Sequence, residues 1–323
     1  MDVLTLGNAM VDVLALVTDE QLAELGLEKN VWGLLDAEEA QRLYDAMPAG
    51  LEVSGGSAAN TAIGVASLGG SSQYIGKVSN DQLGEVFVHD LRSTGVVYDT
   101  PVGRDGAPTG RCLILVTPDA HRTMRPFLGA AHDLTVEDVH DEAVAAAEVT
   151  YAEGFWDAEC ARDAFHKALR IAHDAGRKAA LSLSDVVCVE NFGAEFLKLL
   201  RDGKIDVLFA NEAELLALFS GADLEAAIQR VRDICPLTAV TRGEHGSVIV
   251  SGDETHEVAA APVGEVVDTT GAGDLYAAGF LFGLTHGEPL ARCGELGSLC
   301  AAEVISHVGA RPQRQLSELV ASS

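Results

Sequence analysis

The stretch EVVDTTGAGDLYAAGFLFG, residues 265–283, sets two threonines, two glycines and an aspartate directly before a run that is apolar at helical spacing. Leu275, Ala278, Leu281 and Phe282 recur on overlapping turns, and small Ala277, Gly279 and Gly283 occupy the remaining face, which predicts a close-packed internal helix starting at or near Gly271. The first N–H groups of a helix have no partner within it, and the dipole there is positive. Gly271, Ala272 and Gly273 therefore present a bare cluster of donors that an anion can approach. A plainer account exists: Asp274 in the first turn simply satisfies the helix start.

Outward from this stretch, short apolar runs alternate with helical patterns: DVLTL, ANTAIGVASLG, SQYIGKV, DQLGEVFVHDLRSTG, EVTYAEG, ARDAFHKALRIAHDAG, KAALSLS, IDVLFA, EAELLALF, LTAVT and SVIVSG. Such alternation predicts an α/β fold around a mainly parallel sheet, which binds ligands beyond the C-terminal ends of its strands. Residues 10–35 and 101–128 break the pattern; GRCLILVTPDAHRTMRPF reads as two strands around a TPDAH turn. Both segments are expected to form a small β-lid on a single domain spanning 1–323, since lids exclude water from reactive sites.

Composition narrows the function. With 48% hydrophobic and 22% charged residues among 323, the chain is that of an ordinary globular enzyme. A formal net charge of −27 argues against nucleic acid and acidic lipid as partners. It also suits a salt-rich medium, in which case stability should rise between dilute and molar KCl. Cysteines 112, 160, 188, 235, 293 and 300 form no C-x-x-C pair and sit in apolar segments, as reduced core residues do. No basic leader or long apolar span is present, so a cytoplasmic location is expected. Monomer and homodimer are both open.

A GxxxxGK[ST] loop is absent, but another phosphate-handling set runs along the chain. Asp12 follows the first strand in GNAMVD; then come GGSAANTAIGVASLGG (55–70), ANEAEL (210–215), TRGEHG (241–246) and DTTGAGD (268–274). In this order the motifs resemble the ribokinase-like, or PfkB, family of carbohydrate and nucleoside kinases over nearly the whole length. The resemblance implies a three-layer α/β fold with a β-sheet lid and an ATP-dependent kinase. It places the catalytic aspartate at Asp274 and the anion hole at Gly271, Ala272 and Gly273. It puts Asp12, Gly56 and Asn60 at the acceptor's hydroxyls, Asn211 and Glu214 at Mg2+ through water, and Thr241, Gly243 and Gly246 beside ATP. A monovalent cation such as K+ near Asp268, Thr270, Ser306 and Gly309 is a further implication.

Each motif also has a structural account. Asp12 and Asn60 can serve turns or backbone, Asn211 with Glu214 can cap a helix, and TRGEHG can be a turn between strands. Asp274, at a helix N-terminus, is expected to have a low pKa. GNAMVDVLA, the lid segment and YAEGFWD resemble the adenosine kinase-like branch, which implies phosphorylation of a nucleoside 5′-hydroxyl. Leu14, Leu16, Trp32, Leu34, Phe127 and Trp156 are candidate walls for a base, and Arg122 is a candidate lid group for the phosphates. A sugar kinase for ribose, fructose or 2-keto-3-deoxygluconate, and a silent sensor on the same fold, are the alternatives.

Overall fold

A computed structural model describes residues 1–321 apart from 32, 105 and 120. The strands are β1 (Val3–Leu6), β2 (Met10–Leu16), β3 (Leu51–Gly55), β4 (Ser72–Ile75), β5 (Gly110–Val116), β6 (Arg122–Phe127), β7 (Val149–Ala152), β8 (Lys178–Ser182), β9 (Val207–Asn211), β10 (Leu237–Thr241), β11 (Ser247–Ser251) and β12 (Glu254–Val258). The helices run α1 (Asp19–Glu24), α2 (Ala37–Ala46), α3 (Ser57–Ser67), α4 (Gln82–Ser93), α5 (Asp141–Ala146) and α6 (Glu159–Asp174) in the first half. They continue with α7 (Val186–Arg201), α8 (Glu212–Leu218), α9 (Leu224–Arg232), α10 (Ala272–Thr285), α11 (Leu290–Val304) and α12 (Leu316–Ala321).

Eight strands form the main sheet in the order β12-β11-β10-β9-β8-β7-β1-β4. From β4 to β10 every pair is parallel, while β11 pairs antiparallel with both β10 and β12. Strands such as Val3–Leu6 and Val149–Ala152 are buried along their whole length, as expected where helices cover both faces. One apolar core contains Phe165, Phe196 and Leu208, and the other Tyr74, Phe87, Tyr151 and Phe280. This is the ribokinase-like α/β fold that the motifs imply. Because the parallel strands share a direction, the residues after β1, β7, β9 and β10 gather at one edge.

A second sheet has the order β3-β2-β5-β6. Of the segments expected to build it, 10–35 supplies β2 and 101–128 supplies β5 and β6, while β3 lies outside both. Residues 19–24 of the first segment are helix α1 instead, opened by a Thr18 and Gln21 capping box. The alternation of β2 explains the placement of its residues. Val13 and Ala15 pack with Leu22, Leu43, Leu113 and Leu115 beneath α1 and α2, which leaves Asp12 on the opposite face.

Candidate active site

Helix α10 begins one residue from the position expected from sequence, with Gly271 as its N-cap. Gly271 takes φ +79°, and a Cβ there would fall 2.8 Å from the Ala310 methyl group, so glycine is required on both counts. No side chain caps this helix, and the space beside Gly273 is open. Leu275, Phe280 and Leu281 are fully buried, each contributing roughly 1.5–3 kcal/mol, and hold the helix start in place. Ala272 N donates to the Thr269 carbonyl at 3.2 Å, so of the three expected donors Gly271 N and Gly273 N are the ones left open on this rigid support.

Asp274 does not cap its own helix by its carboxylate. Ser57 Oγ donates to its Oδ1 at 2.6 Å and Asn60 Nδ2 to its Oδ2 at 2.7 Å, while Thr61 Oγ1 donates to its carbonyl at 3.2 Å. The first turn of α3 therefore clamps the first turn of α10, joining the two glycine-rich motifs across more than two hundred residues. Gly56, the N-cap of α3, likewise offers no side-chain cap. Asn60, which the resemblance places at the acceptor, donates from its amide nitrogen to Asp274, and its Oδ1 is buried without a partner.

The expected low pKa of Asp274 is reversed. Burial raises its carboxyl above the ordinary range, and the hydrogen bonds from Ser57 and Asn60 and the charge of Arg311 only partly oppose this. Asp12 is pushed up to about 7 by burial, with Arg311 pulling down and Asp274 and Asp268 adding to the rise. Burial likewise takes Glu153 to about 7, although it accepts from Asn8 N, Asn8 Nδ2 and Ala58 N at 2.6–2.9 Å. A helix dipole cannot offset the removal of several carboxylates from water into one place.

Asn211 and Glu214 form a reciprocal capping box at the start of α8, with three hydrogen bonds of 2.7–2.9 Å. Glu214 is buried, and its carboxyl is raised to about 7 by that burial, with Asp185 and Asp274 adding to the rise. Strand register sets Thr241 directly beside Asn211. Gly243 and Gly246 then shape the turn from β10 into β11, where Arg242 N donates to the Gly246 carbonyl at 2.7 Å. The Arg242 guanidinium pairs with Glu212 at 3.6 Å.

Asp268 accepts from Thr270 N at 2.7 Å and Gly309 N at 2.8 Å, and Arg122 of β6 reaches across to pair with it and with Thr270 Oγ1. Burial would raise Asp268, but these hydrogen bonds outweigh it and hold the carboxyl low. Ser306 Oγ is turned to the Glu303 carbonyl. Arg122 thus already sits beside the start of α10 rather than in solvent.

A profile described as pfkB family carbohydrate kinase matches residues 37–315. The chain belongs to this family. An adenosine kinase of Saccharomyces cerevisiae is 33% identical, the alignment covering 94% of each chain. The solved adenosine kinase of Sinorhizobium meliloti is 49% identical with a TM-score of 0.94, covering 99% of this chain and 98% of that one. A protein named as a probable sugar kinase from Rhizobium etli CFN 42 is 48% identical with the same TM-score and coverage. This pfkB chain is a kinase. Among the described residues no helix is long and apolar enough to cross a membrane.

Within the pfkB chain, three further residues stand at the site: Ser57 inside GGSAAN and Glu153 inside YAEGFWD, neither singled out within its motif, and Arg311, outside every motif. Of the candidate base walls, Trp156 is core: it packs on Phe165 and Phe196 and donates to the Glu153 carbonyl. Phe127 is buried, Leu16 and Leu34 are exposed, and Trp32 lies outside the described residues.

Proposed function

We propose that this kinase transfers the γ-phosphoryl group of ATP to the 5′-hydroxyl of a ribonucleoside, most of all adenosine, giving AMP and ADP. The observation that carries the reading is the start of α10. Amides at Gly271 and Gly273 offer donors to the transferring group, with Ala272 N held by the Thr269 carbonyl between them, and Asp274 stands in the same turn with its carboxylate aligned by Ser57 and Asn60. As the acceptor oxygen bonds to phosphorus and the bond to ADP breaks, the hydroxyl proton passes to Asp274. Its raised pKa favours that transfer. The amides take up charge developing on the phosphoryl oxygens.

Asp12 on the acceptor side has a carboxylate free to receive a diol. Gly56 and the free Oδ1 of Asn60 complete that side, and Thr241, Gly243 and Gly246 with neighbouring Arg242 form the nucleotide side. Arg122 shifts from Asp268 to the phosphates when they arrive. The second sheet is then the lid of a single catalytic domain.

Magnesium bound with ATP would supply positive charge that neutralises the phosphates. The residues fit a water-mediated ion: both Glu214 oxygens already serve Asn211, yet its buried carboxyl, close to Asp185 and Asp274, would be relieved by a nearby cation. Among the described residues no group of three or more His, Cys, Asp or Glu side chains could hold a metal directly. A monovalent cation between the 268–270 and 306–309 segments would compete with Arg122 for Asp268, so activity in K+ against choline measures it.

Adenosine is preferred because the adenosine kinases of S. meliloti and S. cerevisiae are similar along nearly the whole chain. The R. etli protein supports a sugar acceptor as the second reading. ADP release from Mg-ATP with adenosine, inosine, ribose, fructose or 2-keto-3-deoxygluconate, each against a no-acceptor control, decides between them. Turnover with a sugar alone overturns the nucleoside reading; binding without turnover leaves a sensor.

A further inference from the structure

Arg311 lies in the segment between α11 and α12, remote in sequence from every acceptor motif. Its Nε donates to the Ser54 carbonyl at 2.8 Å, and its Nη2 to Ser54 Oγ at 3.0 Å and to the Gly55 carbonyl at 3.4 Å. These bonds fix the guanidinium plane against the end of β3, just before Gly56 opens α3. The remaining nitrogen, Nη1, is shut off from solvent and has no hydrogen-bond partner. Leaving a charged donor so is costly unless something else supplies the acceptor.

The titratable groups near enough for their charge to act on this guanidinium are Asp12 of β2, Asp90 of α4, Asp274 of α10 and Tyr74 of β4. Asp90 is occupied with Ser54 N at 3.2 Å, and Asp274 with Ser57 and Asn60. Asp12 is different. Its carboxylate lies over Gly55, so close that a Cβ on that glycine would fall 2.6 Å from both oxygens. An unpartnered donor and a carboxylate therefore flank one glycine, next to the candidate base.

Resting on the nucleoside kinase reading, we propose that Arg311 is a specificity-determining residue of the acceptor site, donating from Nη1 to an oxygen of the vicinal diol whose protons Asp12 accepts. A diol gives its two hydrogens to one carboxylate and keeps lone pairs on both oxygens. Arg311 fills one of them. An acceptor lacking that hydroxyl leaves the guanidinium unpaired, and a site built this way rejects it strongly. Arg311 also helps hold Asp12 ionised, since its charge lowers the carboxyl that burial raises and that Asp274 and Asp268 raise further.

The test compares adenosine with its 2′-deoxy and 3′-deoxy forms in wild type, Arg311→Lys and Arg311→Met. Arg311→Met is expected to raise the acceptor KM by about 10- to 100-fold, to leave the ATP KM within about threefold, and to shrink the preference for the diol. Its kcat/KM profile should require a higher pH, because Asp12 ionises later without the guanidinium. In an Asp12→Asn background the same substitution should cost much less. Equal losses on diol and deoxy acceptors, with an unmoved pH profile, would make Arg311 a bolt between β3 and the C-terminal segment and overturn the proposal. Should Arg311→Met fail to fold, Arg311→Lys, which keeps the charge but not the fork, must lose diol preference or the proposal falls. If the wild type phosphorylates a sugar and not adenosine, the nucleoside reading fails, and the same comparison on that sugar and its deoxy form still reads Arg311.

Discussion

Helices α8 and α10 both begin with a carboxylate in the first turn, and the two starts are built in opposite ways. At α8, Asn211 and Glu214 close a capping box, so side chains consume the free donors and the helix start looks after itself. At α10, the N-cap is a glycine with positive φ, no side chain takes the donors, and Asp274 is held by another helix. A capped start is finished by the fold; an uncapped start on a buried helix is waiting for a ligand. Sequence already hints at the difference, since Asn211 precedes Glu214 at capping-box spacing while Gly271, Ala272 and Gly273 precede Asp274.

The largest expected effect tests the open start. Asp274→Ala should lower kcat by about 10²–10⁴-fold while calorimetry still detects the acceptor, since the loss is confined to proton transfer and alignment. Turnover near wild type would remove Asp274 from the mechanism. Next, Gly271→Ala should cost about 10²-fold in kcat, because the new methyl meets Ala310 and the donors tilt away from the phosphoryl oxygens. If turnover survives in a folded Gly271→Ala protein, the bare donors are not an anion hole.

At the closed start the effects divide. Asn211→Ala should destabilise the fold by about 1 kcal/mol in denaturant melts, the ordinary worth of a cap. Glu214→Gln should raise the Mg2+ needed for half-maximal activity by about tenfold. A Glu214→Gln enzyme with unchanged Mg2+ demand and only a lower melting point would make α8 purely a capped helix, sharpening the contrast with α10.

The smallest effect concerns pH. Asp12, Glu153 and Glu214 sit near 7 in the folded chain, well above ordinary carboxylates. Between those values the folded state binds more protons than the unfolded one, so stability is fully present below the unfolded pKa and declines as pH rises through about 7. The thermal midpoint should therefore be higher at pH 5.5 than at pH 8, and Asp12→Asn should flatten that slope. A midpoint that climbs with pH would contradict the burial of these groups.

How much of this was legible depended on pattern length. The main sheet could be read because β1, β4 and β7 to β11 are short apolar runs with helical periods between them. Strand β12, ETHEV, is a mostly exposed polar edge, and β3, LEVSG, is brief and only half-buried, so neither carries an apolar signal. Residues 19–24 were expected in the lid but carry their own cap and fold as helix. At the site, Asp274 and Gly271 stood out because small residues and an acid before an apolar helix form an unusual group. Ser57 and Glu153 sit inside quoted motifs but have no feature there to single them out, and Arg311 is a lone polar residue outside every motif.

By itself, the sequence determined the alternation of strands and helices, the edge where polar segments would meet, and the bare start of α10. These are local properties: periodicity, glycine and the absence of a capping side chain act within a few residues. Tertiary structure alone decided that Ser57 and Asn60 hold Asp274, that Arg311 comes to rest on Ser54 and Gly55 where its charge acts on Asp12 and Asp274, and that Asp274 is raised rather than lowered. Hydrogen bonds reach only about 3 Å, and desolvation depends on everything packed around a group, so both wait until distant segments share one site.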